Sequence, residues 1–349
     1  MRKYIIAMTL LLFSLTAIAQ EQEQKPDTVI ITLRNGTEVR YTSDQFDRVQ
    51  VIFNLRFGVK VYLKDGKSKD YLAAEVRIAE YQGGELVIDS NKNRNLYRAK
   101  LLEYPHLAAD STMNQLIVKS TVDFGLTFSL EWSYQDKANR WTCYQMHSGN
   151  TYENVERTKP DPFQEDVEIP EEYRSTLEDY KNSGFSRGHL CPSADRLCSK
   201  EQNTQTFFLS NIQPQWQYHN GGIWLKFENK VRTWAEDCDT LYVVKAATIR
   251  SDQLYPEKCN DKLLVPKYFY MALLSYKKST DTYEAIGIWT QQYKSKEEDS
   301  DKNQPLSFYA ISIDELEERT GIDFFCNLPD DKEEKAEKAV HLDYWGLTE

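Results

Sequence analysis

After residue 110 the chain alternates strand-like and helical stretches without a βαβ rhythm. Apolar, β-branched or aromatic runs occur at Leu126–Trp132, Trp141–Met146, Phe207–Leu209, Leu241–Ala247 and Tyr268–Tyr276. Helical patterns cover about Ile223–Glu236 and Ile313–Thr320. The second has Asp314 and Glu315 in its first turn and Gly321 as a stop signal. Irregular interleaving of this kind predicts an α+β domain, not a doubly wound one. The charged run Lys294–Lys302 reads as a solvated loop, and Asp330–Lys338 as an exposed helix or tail. Aromatic residues make up 13% of the 349, enough to build cores and to exclude a disordered chain. After residue 20 no apolar run approaches bilayer length, which excludes a multi-span membrane protein.

The segment before residue 110 has a different texture. Arg2 and Lys3, the apolar stretch Ile5–Ile18 and the small-x-small triplet Ala17-Ile18-Ala19 read as a signal peptide over 1–19. An exported product follows: periplasmic, cell-surface or secreted. Residues 20–107 read as a small β-rich repeat module. Leu33, Gly36 and Tyr41 return as Leu63, Gly66 and Tyr71, a period of 30. Each unit places an Asn-Gly or Asp-Gly turn between two β-rich runs, a hairpin signal. A weaker third copy runs from Leu86 to Tyr97. The module shows no chemical cluster, so it reads as a structural or docking appendage, with a surface-binding role as the alternative.

Six cysteines, an even number in an exported chain, predict some disulfide bonding, with connectivity open. No Cys/His spacing suggests a zinc site. Formal charge is −11 overall, +1 over 20–107 and −14 over 108–349. Such a field repels polyanions, so phosphate chemistry would rely on local cations and a bound metal.

The densest cluster of reactive residue types lies between Gly184 and Arg232. Arg187 and His189, two apart on a strand, point to the same side. An arginine beside a general base is what a phosphodiester requires: the cation neutralises a phosphate oxygen while the imidazole takes a proton from water. On an ideal helix of about 100° per residue, Asn220, Glu228 and Arg232 fall near 0°, 80° and 120°, on one polar face. Ile223, Phe227, Val231 and Trp234 form a neighbouring apolar arc suited to a sheet. Each piece alone has an ordinary reading, a core histidine or a surface ion pair.

As an ordered set, however, these pieces resemble the DNA/RNA non-specific endonuclease family. The matching stretches are Ser186-Arg187-Gly188-His189, Asn211-Ile212-Gln213-Pro214-Gln215 and Asn220-Gly221-Gly222-Ile223-Trp224, then Glu228 and Arg232. The resemblance extends from about Leu126 to Phe325. It implies a ββα-metal (His-Me finger) core with a central antiparallel sheet in a nuclease domain over 108–349. It implies Mg²⁺, or Mn²⁺ or another divalent ion, on Asn220, with Glu228 acting through a water. It further implies His189 as general base, Asn211 in a positioning role, and Arg187, Arg232 and Arg157 on phosphate. The expected partners are the DNA and RNA backbones, cleaved with little sequence specificity to leave 5′-phosphates. Ser186 stands where the family has Asp, so the alternative is a catalytically impaired scaffold protein at the cell envelope. A two-metal phosphatase would need clustered carboxylates and histidines in this region, and none is seen.

Overall fold

The computed structural model describes residues 28–33, 37–42, 44–54, 57–71, 76–82, 101–108, 110 and 112–348. The expected signal peptide and the third repeat at Leu86–Tyr97 lie outside the described residues. Contacts divide the chain into two units, 1–101 and 102–349.

In the first unit the hairpin signals become β1 (Thr28–Leu33) with β2 (Glu38–Thr42), then β3 (Phe46–Asn54), β4 (Phe57–Leu63), β5 (Ser68–Tyr71) and β6 (Val76–Gln82). They form two three-stranded sheets, ordered β2-β1-β6 and β3-β4-β5. At the Asp65-Gly66 turn the Asp65 carboxylate accepts from the Lys67 amide at 3.0 Å, and Gly66 takes φ +83°. The repeat has a physical basis. Leu33 and Leu63 pack on one core of Val29, Ile31, Tyr41, Phe46 and Val61, and the Tyr41 and Tyr71 hydroxyls bond each other.

In the second unit, long strands are covered by apolar side chains. In chain order it runs β7 (Asn114–Thr121), β8 (Gly125–Ser133), β9 (Ala138–Met146), β10 (Ser186–His189), α1 (Lys200–Gln205) and β11 (Ile212–Gln215). Then follow α2 (Gln217–His219), α3 (Leu225–Glu236), β12 (Thr240–Ala247), β13 (Leu254–Cys259) and β14 (Leu263–Pro266). The last elements are β15 (Tyr268–Lys277), β16 (Thr282–Gln291), β17 (Ala310–Ile311), α4 (Ile313–Thr320) and α5 (Asp330–Glu337). Seven strands form one antiparallel sheet in the order β17-β16-β15-β12-β9-β8-β7. In β15 every residue from Phe269 to Ser275 is buried, so this central strand is covered on both faces. The fold class is α+β with a central antiparallel sheet, as the interleaving predicts.

The sequence reading needs three corrections. Phe207–Leu209 is not a strand: Phe207 plugs the core, Phe208 makes a single parallel bridge to Gln164, and Leu209–Asn211 is a 3₁₀ turn. Disulfide bonding does not occur: all six cysteines are free thiols, five of them buried. Cys198, Cys238 and Cys259 donate to Gln202, Trp234 and Asp179 nearby in the fold. Burial pushes the Cys191 thiol up to about 12 and makes it unreactive. Finally, residues 102–107, read above with the repeat module, belong to the second unit, where the His106 amide donates to the Asp323 carbonyl.

Candidate active site

Two short strands build one wall of the site. β10 pairs antiparallel with β11, Ser186 opposite Gln215 and His189 opposite Ile212. The pair rests on a small core of Tyr180, Leu209, Ile212, Trp216, Leu263 and Val265. Gly188 is required by this pairing. A Cβ there would lie 2.2 Å from Gln215 Oε1 and 2.8 Å from Gln215 Cβ. Gln215 cannot swing away freely, because its Nε2 is bonded to His219 Nδ1 at 2.6 Å. His219 in turn reaches Thr290 Oγ1 on β16 at 3.0 Å, and burial lowers its pKa to about 3. This chain of contacts fixes the residue just before Asn220.

Asn211 is fully buried, and its carboxamide is spent on backbone. Its Oδ1 accepts from the Cys191 amide at 2.9 Å, and its Nδ2 donates to the Cys191 and Thr206 carbonyls, each at 2.8 Å. It pins the chain two residues past His189 and has no group left for substrate. It is a positioning residue.

The His189 ring lies against Phe163 and Phe207, with centroids 5.3 and 5.0 Å away. Its Nε2 is buried without a hydrogen-bond partner among the described residues, while the residue as a whole is half-buried. Desolvation, then the charges of Arg157 and Arg187, lower its pKa to about 3, so the imidazole is neutral at physiological pH. The Arg187 guanidinium sits 3.8 Å from the same Phe163 ring and pairs with Asp161 at 3.2 Å. Arg157 stacks on Phe207 at 4.8 Å and donates to Ser193 Oγ at 2.7 Å. Ser186 Oγ donates to Gln217 Oε1 at 2.7 Å.

The second group, Asn220, Glu228 and Arg232, comes from the segment after β11. The single ideal helix read from sequence is interrupted. Asn220–Trp224 forms a π turn with non-helical Gly222 at φ −107°, ψ −112°, and α3 proper begins at Leu225. The buried stripe is consequently Trp224, Phe227, Val231 and Trp234, with Ile223 only half-buried. Asn220 is half-buried, and its carboxamide makes no hydrogen bond among the described residues. The half-buried Glu228 carboxylate is also without a hydrogen bond there. Burial raises its pKa to about 7, the charge of Asp195 adds to this, and Lys245, Arg232 and Arg157 oppose it. Arg157 thus acts on both His189 and Glu228, which ties the two groups to one electrostatic site.

Sequence reasoning missed the groups beneath Glu228. Asp195 is fully buried and accepts from Tyr144 Oη at 2.7 Å and from Arg232 Nη1 at 2.9 Å. Lys245, also fully buried on β12, lies 3.7 Å from Asp195 and has no hydrogen bond. The available signal was an Asp-Arg pair in Cys191-Pro192-Ser193-Ala194-Asp195-Arg196, directly after the reactive strand.

The donor set suits a hard divalent cation. Asn220 and Glu228 offer uncommitted oxygens, and with so few protein ligands most of the shell would be water or phosphate oxygen, the arrangement Mg²⁺ accepts. The raised carboxyl of Glu228 fits a site short of one positive charge.

Residues 108–331 match the model of the DNA/RNA non-specific endonuclease family. Relatives include a mitochondrial nuclease EXOG of Xenopus laevis, 28% identical over 59% of this chain and 59% of its own length. A nuclease of Nostoc sp. is 29% identical over 62% and 74%, and nuclease C1 of Cunninghamella echinulata is 28% identical over 58% and 81%. The chain thus spans about three fifths of the length of the EXOG relative. A chain in the crystal structure of the EndoG/EndoGI complex shares the fold, with TM-score 0.52 and 22% identity over 62% of this chain and 88% of that one. On the family match, which covers well over half of its residues, the chain belongs to the DNA/RNA non-specific endonuclease family.

Proposed function

We propose that the chain is a metal-dependent endonuclease that hydrolyses DNA and RNA phosphodiester bonds with little sequence selectivity, from a ββα-metal core formed by β10, β11 and the π turn with α3. The observation that carries this reading is the neutral imidazole of His189, which feels the charges of two arginines, one of which also acts on the uncommitted Glu228 carboxylate eight residues after Asn220. Asn220, and Glu228 through a water, would hold a divalent cation, which would supply Lewis-acid stabilisation of charge on the phosphate and on the leaving oxygen.

The protein's own residues do the rest. Arg157, Arg187 and Arg232 take the phosphate charge, mostly through backbone oxygens that carry no sequence information. Among the described residues His189 Nδ1 makes no hydrogen bond, and unlike Nε2 it is not sealed from solvent, so it is the ring nitrogen open to water. It takes the proton of the attacking water. The water oxygen bonds to phosphorus, the P–O3′ bond breaks, and the products are a 5′-phosphate and a 3′-hydroxyl that takes its proton from solvent. An incoming phosphate offsets the charges of Arg157 and Arg187. The imidazole then gains proton affinity when it is needed.

The test is plasmid DNA and RNA incubated with the purified chain, with Mg²⁺ or with EDTA. Metal-dependent loss of polymer, reduced at least ~10²-fold in His189→Ala with an unchanged Tm, is the expected result. Intact polymer under every condition supports instead the impaired scaffold that Ser186 raises. We also propose export on the strength of the apolar N-terminal stretch; N-terminal sequencing of the mature product, starting near Gln20, checks it.

A further inference from the structure

A second cluster of oxygen donors lies at the α4–α5 junction and shares no residue with the nuclease site. Asp314 and Glu317 sit one turn apart on α4, and Glu337 closes α5. One carboxylate oxygen from each lies within 4.8 Å of the other two. The three form a graded mouth: Asp314 is exposed, Glu317 half-buried and Glu337 buried.

An acidic cluster alone says little, but here a buried group is left unanswered. Glu337 is only 6% exposed, and its Oε1 is buried with no hydrogen-bond partner. Glu317 Oε1 accepts from the Phe324 amide at 2.7 Å, which serves one oxygen of the three carboxylates. Neighbouring cations pair first with other carboxylates, Arg319 with Glu315, Lys332 with Asp281 and Lys338 with Glu334, and Lys338 reaches Asp314 only through its charge. Asp323 and Glu333 add further negative charge at longer range. A buried carboxylate facing like charges must gain either protons or a cation. In protein alone, burial and then repulsion push Glu337 up to about 10, and Glu317 up to about 8.

We propose that Asp314, Glu317 and Glu337 hold a calcium-type divalent cation that fastens α4 to α5. Calcium takes several carboxylate oxygens in a flexible shell, whereas Mg²⁺ usually keeps its waters and takes only one or two carboxylates, so three converging carboxylates favour calcium. The exposed Asp314 gives the ion a route in and leaves room for water to complete its shell.

The experiment uses the full chain carrying Asn220→Ala, so that the nuclease metal site is removed, stripped with EDTA and titrated with CaCl₂ alone by calorimetry and thermal unfolding at pH 7.5. One calcium per chain and a Tm rise of roughly 2–5 °C at saturation are expected. Both disappear when Asp314→Asn, an exposed change that leaves the fold intact, is added. Glu337→Gln, added to the same background, also abolishes binding and raises the Tm in EDTA, because the amide is neutral at pH 7.5 without taking up a proton on folding. Absence of heat and of a Tm shift in Asn220→Ala overturns the proposal, as does calcium binding indifferent to Asp314→Asn. A Glu337→Gln gain in EDTA, where the Asn220→Ala parent itself shows no calcium response, identifies a proton-sharing cluster and equally overturns it. None of these readouts measures nuclease activity, so either reading can fail without the other.

Discussion

The buried carboxylate of Asp195 takes the Tyr144 hydroxyl, the Arg232 guanidinium and, more distantly, the Lys245 ammonium. Its charge therefore both aims Arg232 at the site and answers a lysine that has no hydrogen bond. Asp195→Asn keeps the shape and removes the charge. It should cost about 3–5 kcal/mol in denaturant unfolding, because Lys245 is left buried beside Glu228 alone. Nuclease kcat/KM should fall about 10–100-fold, as for loss of a group that orients a functional neighbour. Wild-type stability in this variant would mean that Glu228 already satisfies Lys245. A second residue gives a pH dependence. Glu103 is fully buried, and although Gln145 Nε2 donates to both its oxygens, burial raises its pKa to about 7. A carboxyl raised on folding binds its proton more tightly in the native state, so its contribution is complete below about pH 4 and is lost as pH rises through 7. The span corresponds to roughly 3 kcal/mol. Glu103→Gln should flatten the Tm profile between pH 4 and 8 and exceed the wild-type Tm at pH 8; identical profiles would mean the carboxylate is solvated in solution.

Between β10 and β11 the interlock of Gly188 with Gln215 is tight enough to test. Gly188→Ala should lose about 1–3 kcal/mol by overpacking and displace His189, lowering activity more than stability alone explains. Gln215→Ala in the same chain should restore part of the stability, a coupling that a double-mutant cycle measures. Additive losses would mean that the strand shifts as a body. How far such elements were readable depends on how local their determinants are. α4 was readable to the residue, since Ser312 Oγ caps the Glu315 amide and Gly321 takes φ +70° at the other end. The apolar stripe of α3 was readable from Phe227 onward, but the turn holding Asn220 was not: Gly221-Gly222 lets the backbone leave the helical path, and the angular argument fails there. Phe207 reads as strand because a short apolar run looks alike in a strand and in a core plug. The ordered signature identified His189, Asn220 and Glu228 as candidates, whereas Asp195 and Lys245 meet only through tertiary packing of a loop against β12. The even cysteine count misled because each thiol was already housed, most of them in the core.

On the scale of the whole chain, the −14 charge over residues 108–349 sets how the protein meets a polyanion. The arginines assigned to phosphate are few, and two already carry acidic partners, Arg187 with Asp161 and Arg232 with Asp195. Salt dependence of binding counts the cations that displace counterions, with a slope of about −0.9 per phosphate neutralised on duplex DNA. Three arginines therefore predict a slope of log K against log salt no steeper than about −3, and the acidic surround predicts weak binding at every salt. The measurement is fluorescence anisotropy of a labelled duplex with the His189→Ala variant, in EDTA and then in Mg²⁺, across a salt series. Arg157→Ala should remove about one unit of slope, since its guanidinium faces both His189 and Glu228. A slope near −6 would show that a basic surface outside the three arginines engages the duplex. The N-terminal repeat module, at +1 and with its own core, would then be the first segment to delete.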